Sequence, residues 1–298
     1  SQKTFESIFF GLSGLYENGL FMSNLFSFLE LRPAMVVAAA PRPFPSPIRQ
    51  GVEFRQVSFR YDGSETWALR SVDMLLRPSE KIALVGPNGA GKTTLIKLLT
   101  RLYDPTEGQI LLDGVDLREY DISDLHQRIG VIFQDFVRYY LTAAENIGFG
   151  QIDALEDRPR IEAAARKSEA HDVIAGLPQG YETVLGRWFS GGRDLSGGEW
   201  QKIALGRAFM RECEILVLDE PTASLDAENE MKVFQQFRAL IEDRMAVLIS
   251  HRFSTVRMAD RIYVIEDGRI TEQGSHAELL ALQGTYARLF TLQAQSYR

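Results

Sequence analysis

The sequence predicts an α/β fold with an inserted helical subdomain. Three observations carry this reading. Short apolar runs of buried-strand type recur along the chain: KIALVG (81–86), IGVIFQ (129–134), EILVLDE (214–220) and MAVLIS (245–250). β-like and helix-like stretches follow one another, the pattern of a sheet covered by helices. Residues from about 143 to 209 lack such runs and read as helix-rich, a helical subdomain set into the sheet.

The elements follow in chain order. Residues 1–31 are apolar and aromatic. Phe5, Ile8, Phe9, Leu12, Leu15 and Tyr16 fall on one helical stripe, whereas Phe21, Leu25, Phe26, Phe28 and Leu29 spread around several sides. Two readings stand for this helix: it docks on its own domain, or it is the water-facing end of a longer helix. Ile8–Leu31 does not span a bilayer unaided, because Glu17, Asn18, Asn24 and Glu30 interrupt it. The run APRPFPSP (40–47) has prolines at 41, 43, 45 and 47. It cannot continue a helix and reads as a semi-rigid linker, hence a boundary. The expected organisation is therefore a segment 1–39, a linker 40–50 and a folded domain 51–298. Val52–Tyr61 alternates in part, like a strand, and LRSVDMLL (69–76) reads as another. KIALVG ends in glycine, a strand entering a loop, and KTTLIKLLTRLY then reads as a helix. RIYVIEDGRITEQG places Asp267-Gly268 between apolar runs, a hairpin signal.

Composition bounds the function. With 298 residues, 45% of them hydrophobic, the chain can bury a substantial core. Acidic residues outnumber basic ones, 40 to 33, for a formal charge of −7. Such a chain is a poor bulk partner for nucleic acid, whose binding is mostly charge neutralisation. It can still hold an anion, because local fields outweigh net charge. The single cysteine, Cys213, forms no internal disulfide and reads as a small buried hydrophobe. The first residues lack a basic segment followed by a clean apolar run, so no secretory signal is visible.

Two stretches carry phosphate chemistry. Gly86-Pro87-Asn88-Gly89-Ala90-Gly91-Lys92-Thr93, followed by Thr94, fits G-x-x-x-x-G-K-[ST] without a mismatch, between a strand and a helix. Glycines let backbone N–H groups face phosphates with no side chain in the way. The helix start adds partial positive charge and unpaired donors. Lys92 brings an ammonium to the outer phosphates, and the Thr93 hydroxyl suits Mg²⁺. Further on, LVLDE ends an apolar strand on Asp219 and Glu220, presenting carboxylates at the sheet edge where open α/β folds bind ligands. Asp219 suits contact with Mg²⁺, and Glu220 suits polarising a water that attacks the γ-phosphate.

The set GPNGAGKTT, LSGGEWQ, ILVLDE, SLD (224–226) and His251 resembles the nucleotide-binding domain of ATP-binding cassette (ABC) proteins, from about Gly51 to the C-terminus. LSGGEWQ makes the resemblance specific, since phosphate loops occur in many unrelated NTPases. The resemblance implies an α/β P-loop NTPase core with a mixed sheet, an antiparallel β subdomain and an inserted helical subdomain, and an ATPase. It also implies two cassettes packed head to tail, in a homo- or heterodimer, with ATP between them. Each ATP is then held by the phosphate loop of one chain and by Leu195, Ser196, Gly197, Gly198 and Glu199 of the other. Such a pair of complementary surfaces on one chain is what a two-fold dimer requires. By the same resemblance Tyr61 stacks on adenine, Gln134 contacts Mg²⁺, and Ser224, Leu225 and Asp226 form the loop that crosses the interface. His251 contacts the γ-phosphate and orients the water; Glu220, His251 and Lys92 form the catalytic set.

One departure stands out. TVLGRWFSGGRD (183–194) carries Arg187 and Trp188 where many exporters of the family have an acidic pattern. That segment normally touches the membrane domain, so the coupling contacts are the part of the resemblance that this sequence does not support. By the same resemblance, residues 1–31 and the proline run look like the cytoplasmic end of a last transmembrane helix, in a soluble piece of an exporter half-transporter. The expected partners are a second nucleotide-binding domain, a transmembrane domain and, through it, the cytoplasmic face of the cell membrane, with no nucleic acid. The alternatives are a soluble cassette ATPase acting on nucleic acid or the ribosome, and a stand-alone importer ATPase. The first predicts a second cassette, a long coiled coil or a basic surface, and the second usually begins at its first strand.

Overall fold

The computed structural model describes residues 2–30, 35, 37–133, 135–187, 192–219, 235–242, 244–250 and 252–296. It divides into two units, one up to Val36 and one from Val37 onward. The first is a single helix, α1 (Gln2–Leu29), in which no residue is buried. Its phenylalanines, among them Phe5, Phe9, Phe10 and Phe21, are exposed. Among the described residues no helix is long and apolar enough to cross a membrane.

The second unit is built on two sheets. The antiparallel sheet has the order β2-β1-β4-β5, from β1 (Val52–Phe59), β2 (Leu69–Leu76), β4 (Glu107–Leu112) and β5 (Val115–Asp116). The β4–β5 hairpin was not among the predicted strands, although Asp113-Gly114 between LL and V carries the same turn signal as Asp267-Gly268. The second sheet has the order β10-β9-β3-β8-β7-β6. Its strands are β3 (Lys81–Val85), β6 (Ile129–Ile132), β7 (Ile215–Asp219), β8 (Met245–Ile249), β9 (Arg261–Glu266) and β10 (Arg269–Gly274). It is mixed, as the resemblance implies: β9, β3, β8, β7 and β6 run parallel, and β10 is antiparallel to β9. β3, β7 and β8 are buried on both faces, which explains why they read as continuous apolar runs.

One core lies between the two sheets and around α2 (Lys92–Leu99), with Phe54, Leu69, Ile82, Leu95 and Val247 at its centre. The Tyr263 hydroxyl crosses it to donate to the Leu75 carbonyl at 3.1 Å. A second core covers the other face of the parallel sheet, where Phe237, Leu240, Ile241 and Tyr286 pack against Leu216 and Leu248. The inserted segment forms a third core from α4 (Ala143–Gly148), α5 (Arg158–Lys167), α6 (Ala170–Ala175) and one side of α7 (Gly197–Met210).

The proline-rich stretch is more than a spacer. Phe44 and Ile48 are buried in the core between the sheets. The Arg42 N–H donates to the Glu119 carbonyl at 2.8 Å, and the Phe44 N–H donates at 2.6 Å to the carboxylate of Asp124 on α3 (Ile122–Arg128). The Asp113 carboxylate accepts from the N–H groups of Arg49, Gln50 and Gly51 at 2.7 to 3.1 Å. Proline keeps the stretch extended, and these bonds lay it along the fold as a strap.

Candidate active site

The phosphate loop connects the end of β3 to α2. Gly86 sits at φ 155, and a Cβ built there would lie 2.0 Å from the Ile265 carbonyl oxygen on the neighbouring β9. Only glycine lets the chain leave the sheet there. Pro87, Asn88 and Gly89 are exposed, Ala90 is buried, and Gly91 is the left-handed N-cap of α2 at φ 105. No side chain caps this helix, so its first-turn N–H groups keep their bonding capacity for an anion. Lys92 is buried, and its ammonium folds back to donate to the Gly86 carbonyl at 2.8 Å and the Pro87 carbonyl at 2.9 Å. It ties its own loop into a ring, the concave nest expected of a phosphate cradle.

Sheet register brings the second element to the same edge. Asp219 is the last residue of β7 and pairs with Ile249 of β8, which also pairs with Leu84 of β3. The ends of β3, β7 and β8 therefore share one edge, and Gly86 begins just past it. There the Thr93 hydroxyl donates to the Asp219 carboxylate at 3.5 Å, across 126 residues of sequence. A hydroxyl and a carboxylate are hard oxygen donors, a set that suits Mg²⁺. Gln134, Glu220, Ser224, Leu225, Asp226 and His251 lie outside the described residues. Trp188, in the departure before LSGG, does too.

Tyr61 is half-buried just beyond β1, and its hydroxyl lies 3.1 Å from the Thr94 hydroxyl. Two residues that the sequence reading passed over join it. Tyr103 meets the Tyr61 ring edge-on at 5.4 Å, and the Lys97 ammonium lies 5.2 Å from the ring centre. Lys97 follows Thr94 at helical i,i+3 spacing, a signal that was available in the sequence.

Ser196 is the N-cap of α7. Its hydroxyl oxygen accepts from the Glu199 N–H at 3.4 Å, and the Glu199 carboxylate accepts from the Ser196 N–H at 2.7 Å. This reciprocal cap fixes the turn while leaving Ser196 and Gly197 exposed. Leu195, Trp200 and Ile203 pack in the helical core, whereas Leu205 and Ala208, further along α7, pack against the parallel sheet. One helix thus carries the exposed Ser196 turn and joins both cores.

A family model described as ABC transporter matches residues 69–223. The chain belongs to the ABC transporter family. The match runs from β2 through the phosphate loop, the capped Ser196 turn and Asp219, so the ABC transporter fold and the site coincide. Residues 69–223 therefore belong to an ABC ATPase domain, and the nucleotide that it binds is ATP. The subtilin transport ATP-binding protein SpaT of Bacillus subtilis is 39% identical over 284 residues, covering 95% of this chain and 46% of that protein. The ATP-dependent lipid A-core flippase of Chromohalobacter salexigens is 42% identical over 280 residues, covering 94% of this chain and 47% of the flippase. Among solved structures, a bacterial Atm1-family ABC exporter with ATP bound superposes with a TM-score of 0.83 at 36% identity, covering 93% of this chain and 48% of that one. The chain spans about half the length of the curated relatives that it matches.

Proposed function

We propose that this ABC ATPase domain is the motor of an exporter, in which ATP-driven head-to-tail pairing of two such domains is coupled to movement of a cargo across a membrane. The observation that carries the proposal is the convergence of Lys92, Thr93 and Asp219 at one sheet edge. In this reading Gly86, Pro87, Asn88, Gly89, Ala90, Gly91, Lys92, Thr93 and Thr94 grip the phosphates, and Tyr61 stacks on the adenine. Thr93, Gln134 and Asp219 hold Mg²⁺, which when bound neutralises phosphate charge. Lys92 leaves the Gly86 and Pro87 carbonyls to meet the outer phosphates. Glu220 takes the proton of the attacking water, and His251 orients that water.

Leu195, Ser196, Gly197, Gly198 and Glu199 then face the ATP of the partner chain, and Ser224, Leu225 and Asp226 line the crossing between chains. The Ser196 oxygen is already engaged as acceptor by the Glu199 N–H, so its own proton is the part free to donate to a γ-phosphate. The likeness to exporters supports segment 1–39 as the cytoplasmic end of a transmembrane helix, residues 40–50 as the connection, and 51–298 as the nucleotide-binding domain on the cytoplasmic face.

The deciding experiment is Glu220→Gln with saturating ATP and Mg²⁺, read by light scattering after gel filtration. A nucleotide-loaded dimer is expected. A monomer at every protein concentration, with ATP bound, refutes the two-sided site.

A further inference from the structure

Arg207 lies about three helical turns beyond Ser196 on α7. Its Nε donates to the Asn146 carbonyl at 2.8 Å, one terminal nitrogen donates to Asn146 Oδ1 at 2.7 Å, and the other donates to the Val137 carbonyl at 2.6 Å. The guanidinium also lies 4.9 Å from the centre of the Tyr139 ring. Asn146 is fully buried and extends the network: its Nδ2 donates to the carbonyls of Tyr139, Leu141 and Thr142 at 3.0 to 3.2 Å. One arginine on α7 therefore holds, directly or through Asn146, most of the turn 137–142. The backbones are pressed together at the same place, since a Cβ on Gly150 would lie 2.0 Å from the Arg207 carbonyl oxygen.

Among the described residues, no carboxylate pairs with Arg207. Burial lowers its pKa to about 10, the sign of a cation held where water is scarce. A half-buried charge without a counter-ion is destabilising in itself, and the same volume filled by an apolar side chain would avoid that. What the planar fork supplies instead is fixed geometry between two chain segments. The far side of the gripped turn faces solvent, with Val137, Tyr139 and Tyr140 at 57%, 38% and 44% exposure.

We infer that Arg207 is a positioning residue that makes the exposed turn 137–142 and helix α7 one rigid unit, so that a push on the turn is delivered to Ser196. The inference rests on the proposed role of Ser196 at the partner's ATP. Ala90 and Leu95 of the phosphate loop and α2 pack in the core between the sheets, to which Arg207 makes no contact, so the phosphate grip of the chain itself does not depend on this lock.

The test uses this chain with Arg207→Lys, which keeps the charge and loses the fork, and Arg207→Met, which loses both. Amide hydrogen exchange across residues 137–149 is expected to accelerate about tenfold in either variant. ATP turnover per ATP-binding site is expected to fall about fivefold or more, with KM within about twofold of the unaltered chain. Where Arg207→Met does not fold, Arg207→Lys decides alone. Unchanged exchange in 137–149 overturns the inference. So does a lowered melting temperature with unchanged turnover per binding site, which is what a merely structural arginine gives. Ser196→Ala in parallel separates the two claims: full turnover there refutes the two-sided site, while the exchange data still judge the lock.

Discussion

Replacing Gly86 with alanine is the sharpest test of how the phosphate loop is made. The added Cβ would lie 2.0 Å from the Ile265 carbonyl oxygen and 3.1 Å from its carbon. An ordinary carbon–oxygen contact is roughly 3.3 Å or longer, so one strand must yield by about 1 Å. The strands concerned are β3 and β9, paired through Val85 and Val264 at that point. Overpacking of this kind costs about 1–3 kcal/mol, and the positive φ adds about 1–2 kcal/mol for a residue with a Cβ. The total, about 2–5 kcal/mol, corresponds to a fall in Tm of about 4–20 °C at roughly 2–4 °C per kcal/mol. The assay is a thermal melt by circular dichroism, with ATP affinity measured by calorimetry at a temperature where the variant is folded. Affinity should fall as well, because a displaced loop no longer aims its backbone N–H groups at the phosphates. Gly89→Ala is the control: nothing lies within 4 Å of its Cβ, so only backbone strain of about 1–2 kcal/mol applies. Equal melting temperatures for the two variants would refute the argument from the Ile265 contact.

Four further outcomes follow from other contacts. Phe44→Ala should destabilise the domain by about 3–5 kcal/mol in urea unfolding, because Phe44 is buried in the core; a change below about 1 kcal/mol would mean that the strap is a loose tether. Tyr61→Ala should weaken ATP binding by about 1–3 kcal/mol, the worth of one base–aromatic stack, while leaving tripolyphosphate affinity unchanged; equal losses for both ligands count against adenine stacking. Thr142→Ala removes the capping box of α4 and should cost about 1 kcal/mol in the same unfolding assay, whereas an unchanged urea midpoint would make that cap irrelevant. Burial pushes the Tyr286 hydroxyl up to about 12 from an ordinary 10.0. Through that window the unfolded chain gives up a proton that the folded chain keeps, so folding stability falls as pH rises from 10 towards 12. Tyr286→Phe should lose less stability than the unaltered chain between about pH 10 and pH 12, and parallel urea midpoints would refute the assignment.

The sequence by itself determined the parts that depend on local pattern. Buried parallel strands need unbroken apolar runs, so β3, β7 and β8 were legible as such. The phosphate loop was legible because backbone-mediated anion binding needs glycines and a helix start at fixed spacing. The cap at Ser196 is visible as a serine with glutamate three residues on. The β4–β5 hairpin escaped although its Asp-Gly turn was there to be read. Tertiary structure alone decided what depends on elements distant in sequence. That Thr93 meets Asp219 follows from the order in which β3, β8 and β7 line up, which no local window contains. The proline run read as a semi-rigid linker because its polyproline conformation satisfies no backbone bonds internally. Asp113, Asp124 and Glu119, more than sixty residues away, supply those partners. Nothing near Arg207 in sequence announces Asn146 and Val137. Local chemistry is written in neighbouring residues, whereas long-range contacts are written only in the packing of the whole chain.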